Sequence, residues 1–240
     1  MPMPNLTPLD WFSLFWFCLC WFGYTRYSGF RPNHGIRLQD ALHGHIRLWI
    51  SMLQARDNRM VDTSVITNIE RSSAFLASST LLVIAGLATA LGSTDTATHV
   101  LSSLPLVQPV TPQRWEIGIL ILLMAFVYAF FTFTWCMRQW GFAAILVGSA
   151  PAANDPNTNP EQRTQHQEAL ADIVWLAIYH FNIGLRAYYF SLAVLAWFIH
   201  PIAFMIASTW VVAVLYRREF RSRTLKALNA GLPTPTQPLK

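Results

Sequence analysis

The stretch from Tyr188 to Tyr216 contains 29 residues without a charged side chain. Five basic residues follow it within ten positions: Arg217, Arg218, Arg221, Arg223 and Lys226. A helix rises about 1.5 Å per residue, so roughly 20 apolar residues cross about 30 Å of hydrocarbon. Because basic residues beside a span favour the cytoplasmic side, this junction predicts a membrane boundary with the basic cluster in the cytoplasm.

The composition supports a membrane protein. Of 240 residues, 53% are hydrophobic and only 12% are charged, whereas soluble domains average about 25% charged residues. The apolar residues come in blocks, which predicts an all-α fold: a multi-pass transmembrane helical bundle with amphipathic cytoplasmic helices, in a single membrane-embedded domain over residues 1–228. Basic residues beside the spans account for the net charge of +5. Since no nucleic-acid motif accompanies them, the predicted partner is the lipid bilayer and not a nucleic acid.

Three earlier uncharged blocks predict spans at about 7–25, 72–94 and 117–137. The first block reaches a spanning length only if Asp10 lies at the membrane interface. The connector at residues 95–116 contains three prolines and therefore cannot be helical throughout.

The Lys and Arg content of the connecting segments orients these spans. Residues 25–71 contain seven Arg, whereas residues 95–116 contain one. The first segment is therefore predicted to be cytoplasmic and the second external, with the N-terminus outside. A single fourth crossing would then place the basic cluster outside, against the same rule.

A break at His200-Pro201 resolves this conflict. It divides the last block into a hairpin of two short spans, 184–199 and 202–216, and leaves the C-terminus in the cytoplasm. The alternative is one long helix kinked at Pro201, because proline can kink a transmembrane helix without ending it. We predict an integral protein of a bacterial inner membrane whose proline-containing tail, residues 229–240, is disordered.

Residues 37–71 predict one long amphipathic helix that leads into the second span, and a second amphipathic helix begins near Glu161. The first helix carries a candidate polar network of Arg56, Asn58, Arg59, Asp62, Asn68 and Arg71. We interpret these residues as a network that fixes helix packing or lines a cytoplasmic vestibule. The alternative is a solvated face with weak ion pairs.

Small residues recur at helical spacing along the second span: Ala74, Ser78, Ala85, Thr89 and Gly92. Small faces let membrane helices approach each other closely. This face therefore predicts contact within the protomer, self-association into a homo-oligomer, or a weakly polar pore lining. The spacing does not choose among the three.

Catalytic motifs are absent from the sequence. It contains no nucleophile elbow, P-loop or dinucleotide fingerprint. The best metal candidate, His43-Gly44-His45 with Asp40 and His34, lacks Cys partners and the spacing of a zinc protease helix, so a solvated helix start is favoured. The cores of the second, third and fourth blocks contain no Asp, Glu, Lys or Arg, which argues against a proton-coupled pump. We predict that the protein is not an enzyme and holds no cofactor or metal.

Six stretches carry a resemblance to a known family: RDNRMVD at 56–62, NIER at 68–71, ASSTLL at 77–82, FVYAFF at 126–131, LRAYYF at 185–190 and YRREFRSR at 216–223. They resemble domain-of-unknown-function family 599, a group of uncharacterised membrane proteins. The resemblance implies a multi-pass membrane protein. It implies no catalytic or binding residues, because the family has no established activity.

Two functions are therefore expected. The first is a homo-oligomeric ion channel or pore, with the small-residue face along the pore and a basic cytoplasmic vestibule that favours anions. The alternative is a structural or regulatory membrane protein that docks a protein partner through its cytoplasmic amphipathic helices.

Overall fold

The computed structural model describes residues 6–29, 37–56, 58–102, 111–151 and 158–232. Eight α-helices lie in these ranges: α1 Pro8–Gly29, α2 Leu38–Gln54, α3 Met60–Gly92, α4 Thr94–Ser102, α5 Pro112–Gly148, α6 Pro160–Leu195, α7 Pro201–Phe220 and α8 Arg223–Gly231. No strand occurs among the described residues. The predicted all-α fold class is confirmed.

Four helices begin at a proline: Pro8, Pro112, Pro160 and Pro201. Proline suits the first helical position, since its backbone lacks the N–H that would be unpaired there and its φ angle is already helical. Of the prolines in the predicted connector at residues 95–116, Pro112 begins α5 and the other two lie outside the described residues. Helix α4 occupies the start of that connector.

The chain divides into two compact units. The first unit comprises residues 1–31, 72–135 and 180–214, and the second comprises residues 32–71, 136–179 and 215–240. That residues 1–228 form one embedded domain stays a prediction. The second unit carries 13 of the 17 Lys and Arg residues and 9 of the 12 Asp and Glu residues. The predicted spans fall largely in the charge-poor first unit.

In the first unit, the chain turns back between α6 and α7. The Phe17 ring of α1 lies 5.9 Å from the ring of Phe190 in α6 and 5.0 Å from that of Phe204 in α7. In one straight helix, residues 14 positions apart would be separated by about 21 Å along the axis. Both arms therefore run beside α1, as in a helical hairpin.

The turn is built from local hydrogen bonding. Helix α6 ends at Leu195, a 3-10 turn covers residues 196–198, and α7 begins at Pro201. The Nδ1 atom of His200 accepts a hydrogen bond from the backbone N–H of Ile202 at 3.1 Å, which caps the start of α7. The structure thus breaks the helix at His200-Pro201. That each arm spans a bilayer stays a prediction.

Helices α5 and α6 pack closely in the first unit. A Cβ atom added to Gly184 of α6 would lie 2.6 Å from the Phe133 ring, and one added to Gly118 of α5 would lie 2.5 Å from the Phe198 ring. Tyr188 of α6 joins α3 to this pair, because its hydroxyl lies 2.7 Å from the Thr80 hydroxyl. Glycine at positions 118 and 184 therefore leaves room for the Phe198 ring of the turn and the Phe133 ring of α5.

In the second unit, α8 packs against α2. The Nε2 atom of His45 lies 2.8 Å from the carbonyl oxygen of Leu228, and the Leu232 side chain lies 3.0 Å from where a Cβ on Gly44 would be. Residues 229–231 are helical, so the prediction of disorder from residue 229 onward is wrong for this part. Residues 233–240 of the predicted tail lie outside the described residues.

The single amphipathic helix predicted over residues 37–71 is wrong, because α2 ends at Gln54 and α3 begins at Met60. The side-chain oxygen of Asn58 accepts a hydrogen bond from the backbone N–H of Met60 at 3.0 Å. An asparagine that pairs with the first N–H groups of a helix favours a helix start over a helix interior. The apolar stripe of α2 is nevertheless buried, through Ile46, Ile50 and Leu53.

Candidate functional site

The predicted polar network forms only in part, around Asp62. This carboxylate is 1% exposed, and its Oδ1 atom accepts hydrogen bonds from the Trp49 indole at 2.8 Å and from Nη1 of Arg56 at 2.9 Å. The Oδ2 atom of Asp62 is enclosed and has no hydrogen-bond partner among the described residues. Arg56 stays 47% exposed, so the pair joins a buried acid to a half-solvated base.

Arg59 has a different role from Arg56. Its Nη1 atom donates to the carbonyl oxygens of Val147 at 3.2 Å and Ala150 at 2.7 Å, and its Nη2 atom donates to that of Pro151 at 2.8 Å. These carbonyls lie at and just beyond the C-terminal end of α5, where helix carbonyls lack intrahelical partners and a cation is favoured. Arg59 therefore caps α5.

The other predicted network residues lie along α3 or just before it. Asn58 caps the start of this helix, whereas Asn68 and Arg71 line an open polar groove of about 550 Å³ on it. The groove is lined by Arg59, Met60, Thr63, Ser64, Thr67, Asn68 and Arg71. The six predicted residues thus divide between an ion pair, two helix caps and one groove.

The small-residue face of α3 is not the face that packs in the first unit. Ser78, Ala85, Thr89 and Gly92 are exposed and Ala74 is half-buried. The buried residues of this helix in the first unit are Ser73, Ala77 and Thr80. The first unit therefore does not show this face in contact within the protomer, which was one of its three interpretations.

Large apolar side chains cover the outside of the first unit. Those that are at least half exposed include Trp11, Phe12, Phe15, Phe22, Phe75, Leu82, Met124, Phe131, Leu192, Ile206 and Trp210. Soluble monomers rarely expose contiguous apolar patches of more than a few hundred Å². Two described helices, Met60–Gly92 and Pro112–Gly148, are long and apolar enough to cross a membrane, and the apolar window of the first is only 11% buried.

A buried charge pair at the starts of α1 and α5 was not predicted from the sequence. Asp10 of α1 and Arg114 of α5 are 4% and 5% exposed. Asp10 accepts hydrogen bonds from the backbone and hydroxyl of Thr7 and from the Trp197 indole, and Arg114 donates to the carbonyl oxygen of Trp197. A signal existed in the sequence, since both residues stand two positions after a helix-starting proline. The pair joins α1, α5 and the turn after α6.

A second buried cation, Arg186 of α6, was also missed. It is 6% exposed, its Nη1 atom donates to the Ser28 hydroxyl at 2.6 Å, and its guanidinium carbon lies 5.3 Å from the centre of the Tyr24 ring. Arg186 lies inside the predicted span 184–199 but two residues before the uncharged run, so the lack of charge in that run gave no sign of it.

An apolar groove of about 470 Å³ lies between α1 and α5. It is lined by Phe17, Cys18, Trp21, Phe22, Thr25, Ile117, Leu120, Ile121, Met124, Ala125 and Tyr128. Cys18 is exposed, whereas Cys20 and Cys136 are buried. The lining is almost entirely apolar and therefore suits hydrocarbon better than a polar substrate.

The candidate metal residues do not converge. His45 contacts the carbonyl oxygen of Leu228, whereas the His43 ring packs edge-on to Trp175 with 6.1 Å between the ring centres. Across the described residues, no group of three or more His, Cys, Asp or Glu side chains is placed to hold a metal ion.

The fold and these features define an all-helical protein with one charge-rich unit and one unit that is covered by apolar side chains. The family model described as "Protein of unknown function, DUF599" matches residues 12–224. The chain therefore belongs to this family, as the resemblance implied. No curated protein matches the chain, and no solved structure matches it.

Proposed function

We propose that this protein is an integral membrane protein that assembles through α3 into a homo-oligomer with an anion-conducting pore. The observation that carries the proposal is the exposed face of small residues on α3, from Ser78 to Gly92. In a bilayer, helix association is driven by close packing and hydrogen bonds, so an unused small-residue face favours contact with a second copy of the same helix.

Membrane insertion is supported by the exposed apolar side chains of the first unit. Phe75 and Leu82 of α3 are more than 70% exposed, and together with the other exposed apolar side chains of this unit they are more favourable in lipid than in water. The turn-back at residues 196–200 also supports the orientation. With a hairpin there, both the arginine-rich segment before α3 and the basic cluster after Tyr216 lie on the cytoplasmic side of a bacterial inner membrane.

The pore part of the proposal rests on α3. Ser78 and Thr89 place hydroxyl groups on the exposed small-residue face, and such groups suit a weakly polar lining. Arg71, which is exposed and lines the polar groove, stands three residues before Ala74 and therefore follows the same helical spacing. Arg56 is paired with Asp62, so Arg71 is the better candidate for attracting anions.

The docking alternative has less support. It requires apolar faces on the cytoplasmic amphipathic helices that remain available for a partner. In the second unit, however, Ile50 and Leu53 of α2 and Leu170 and Val174 of α6 are fully buried. These faces stabilise the protein itself.

Planar-bilayer recordings of the purified full-length protein under a salt gradient test the pore. We expect a current whose reversal potential shows anion preference, and Arg71→Glu should move the reversal potential toward cations. Arg221→Glu, which changes an exposed charge outside α3, is the matched control and should leave the reversal potential unchanged. Absence of current at every voltage and pH would reject the proposed pore.

Oligomerisation is tested separately by light scattering of the protein in lipid nanodiscs. Ser78→Trp should dissociate the oligomer because the ring prevents close approach of the helices. Val83→Trp is the control, since Val83 is exposed and lies about 140° around the helix from Ser78. If the wild-type protein is a monomer, assembly through α3 is wrong. If the oligomer resists Ser78→Trp and dissociates only when a partner protein is added, the docking alternative is favoured.

A further inference from the structure

We propose that Arg186 is a binding site for a phosphate group, which is supplied either as free inorganic phosphate or by a phospholipid headgroup. The proposal deepens the proposed function, and it rests on that function only in giving the bound anion a place on a conduction path. Binding itself is measurable without any current.

Arg186 is a buried cation without an acidic partner among the described residues. Arg186 is 6% exposed, yet within the described part of the chain no carboxylate lies at ion-pair distance from it. Its two neighbours, the Ser28 hydroxyl and the Tyr24 ring, are neutral. Ionisable residues inside membrane segments are costly and usually mark ion or substrate sites.

The sequence around the site explains why no acid lies nearby. Residues 11–39 and residues 173–218 contain no Asp or Glu. In α1, Asp10 lies 14 residues before Tyr24, about 21 Å away along the axis. Asp10 is also already engaged, by Trp197 and Arg114. An external anion is therefore the available counter-charge for Arg186.

Arg114 shows the contrasting arrangement within the same unit. It is as buried as Arg186, but it lies beside Asp10 and donates to a backbone carbonyl. Among the described residues, one buried arginine of the unit is thus neutralised by a carboxylate, and the other is not. This difference points to ligand binding at Arg186 rather than to a general tolerance of buried arginine.

The geometry of the guanidinium selects the ligand class. Nη1 of Arg186 is directed to Ser28 at 2.6 Å, and the Ser28 hydroxyl in turn donates to the carbonyl oxygen of Thr25 at 3.2 Å. Nη2 and Nε make no hydrogen bond within the described residues, and they are not among the fully enclosed unpaired atoms there, so this side of the guanidinium is open to a ligand. These two atoms form one edge of the planar fork, and that edge fits two oxygens of an oxyanion at once. A phosphate group is therefore preferred over a halide.

The first experiment measures thermal unfolding of delipidated full-length protein in a maltoside detergent, with sodium phosphate or sodium chloride at equal ionic strength. We expect phosphate to raise the midpoint in a saturable way and chloride not to do so. Arg186→Gln should abolish the response. Arg26→Gln should keep it, because Arg26 is an exposed arginine of the same stretch of α1 as Tyr24 and Ser28.

A second arm separates the two sources of phosphate. At fixed chloride, the midpoint of thermal unfolding is measured with phosphatidylcholine and with a diacylglycerol of the same acyl chains, which lacks the phosphate. A response to inorganic phosphate assigns a free anion, whereas a response only to phosphatidylcholine that is lost in Arg186→Gln assigns a headgroup. Either result supports the phosphate site.

Arg186→Lys keeps the charge and removes the fork, so it tests the site even if Arg186→Gln fails to fold. We expect its half-saturating phosphate concentration to rise about tenfold. The proposal is overturned if phosphate and chloride act equally and the two lipids also act equally, or if Arg26→Gln loses the response as fully as Arg186→Gln. Phosphate binding without current would reject only the pore, and current without phosphate binding would reject only this site.

Discussion

Arg114 and Asp10 form a buried ion pair, with Nε of the arginine 3.4 Å from Oδ1 of the aspartate and side chains that are 6% and 5% exposed. The separation is within ion-pair range, although Nε makes no hydrogen bond in the part of the chain that the structure describes. We expect Asp10→Asn to destabilise the protein by about 3–5 kcal/mol, because it leaves the arginine charge uncompensated. Chemical unfolding in detergent measures the change.

The double variant Asp10→Asn with Arg114→Met is the informative comparison for this pair. It should lose less stability than Asp10→Asn alone, since the stranded charge is then removed as well. Glu116→Gln, an exposed acid on the same helix, should have little effect. Equal losses in the single and double variants would show that the pair does not act as a pair.

The packing of Gly184 against Phe133 predicts intolerance of a single methyl group. A Cβ at position 184 would lie 2.6 Å from the Phe133 ring. Gly184→Ala should therefore cost about 1–3 kcal/mol by overpacking, although alanine is the better helix former. The control is Gly23→Ala, because nothing lies within 4 Å of a Cβ at Gly23. A lower thermal midpoint for the control than for Gly184→Ala would contradict this account.

Arg59 should contribute more to stability than its neighbour Arg56. Arg59 donates to three backbone carbonyls at the end of α5, whereas Arg56 is half exposed and makes one ion pair. Arg59→Gln should cost about 1.5–3 kcal/mol through the lost charged hydrogen bonds, and Arg56→Gln clearly less. Hydrogen exchange at residues 146–151 provides the local readout. Exchange there that is equally fast in both variants would argue against the cap.

His43 predicts that stability falls in mild acid. Burial lowers the pKa of His43 from its ordinary 6.5, and the charge of Arg47 lowers it further, while Asp172 and Asp40 act in the opposite sense. The unfolded chain therefore binds a proton at a higher pH than the folded protein, so stability decreases as the pH falls below about 6.5. His43→Gln should reduce the difference in thermal midpoint between pH 7.5 and pH 5.5, whereas the exposed His99→Gln should not.

Much of the local structure was predictable from particular residues. The break at His200-Pro201 follows from a ring that cannot donate a backbone hydrogen bond, together with a neighbour able to cap the next helix. The end of α2 was missed, because helical periodicity continues across residues 55–59 and the capping role of Asn58 was not recognised. The α8 helix was also missed: the Ser222 hydroxyl that caps its start, by accepting a hydrogen bond from the backbone N–H of Leu225, was not recognised, and its contact with α2 is tertiary.

The sequence by itself determined that the chain is helical, where its apolar stretches lie and which residues share a face, because these follow from composition and spacing. Tertiary structure alone decided what covers each face and which charges meet. Helical spacing placed Ser78 and Thr89 together but could not say that α3 packs through Ala77 and Thr80 instead. Nor could it show that Asp10 lies beside Arg114, whereas no carboxylate of the described residues lies at ion-pair distance from Arg186. Those pairings depend on residues that are distant in the chain and brought together only by helix packing.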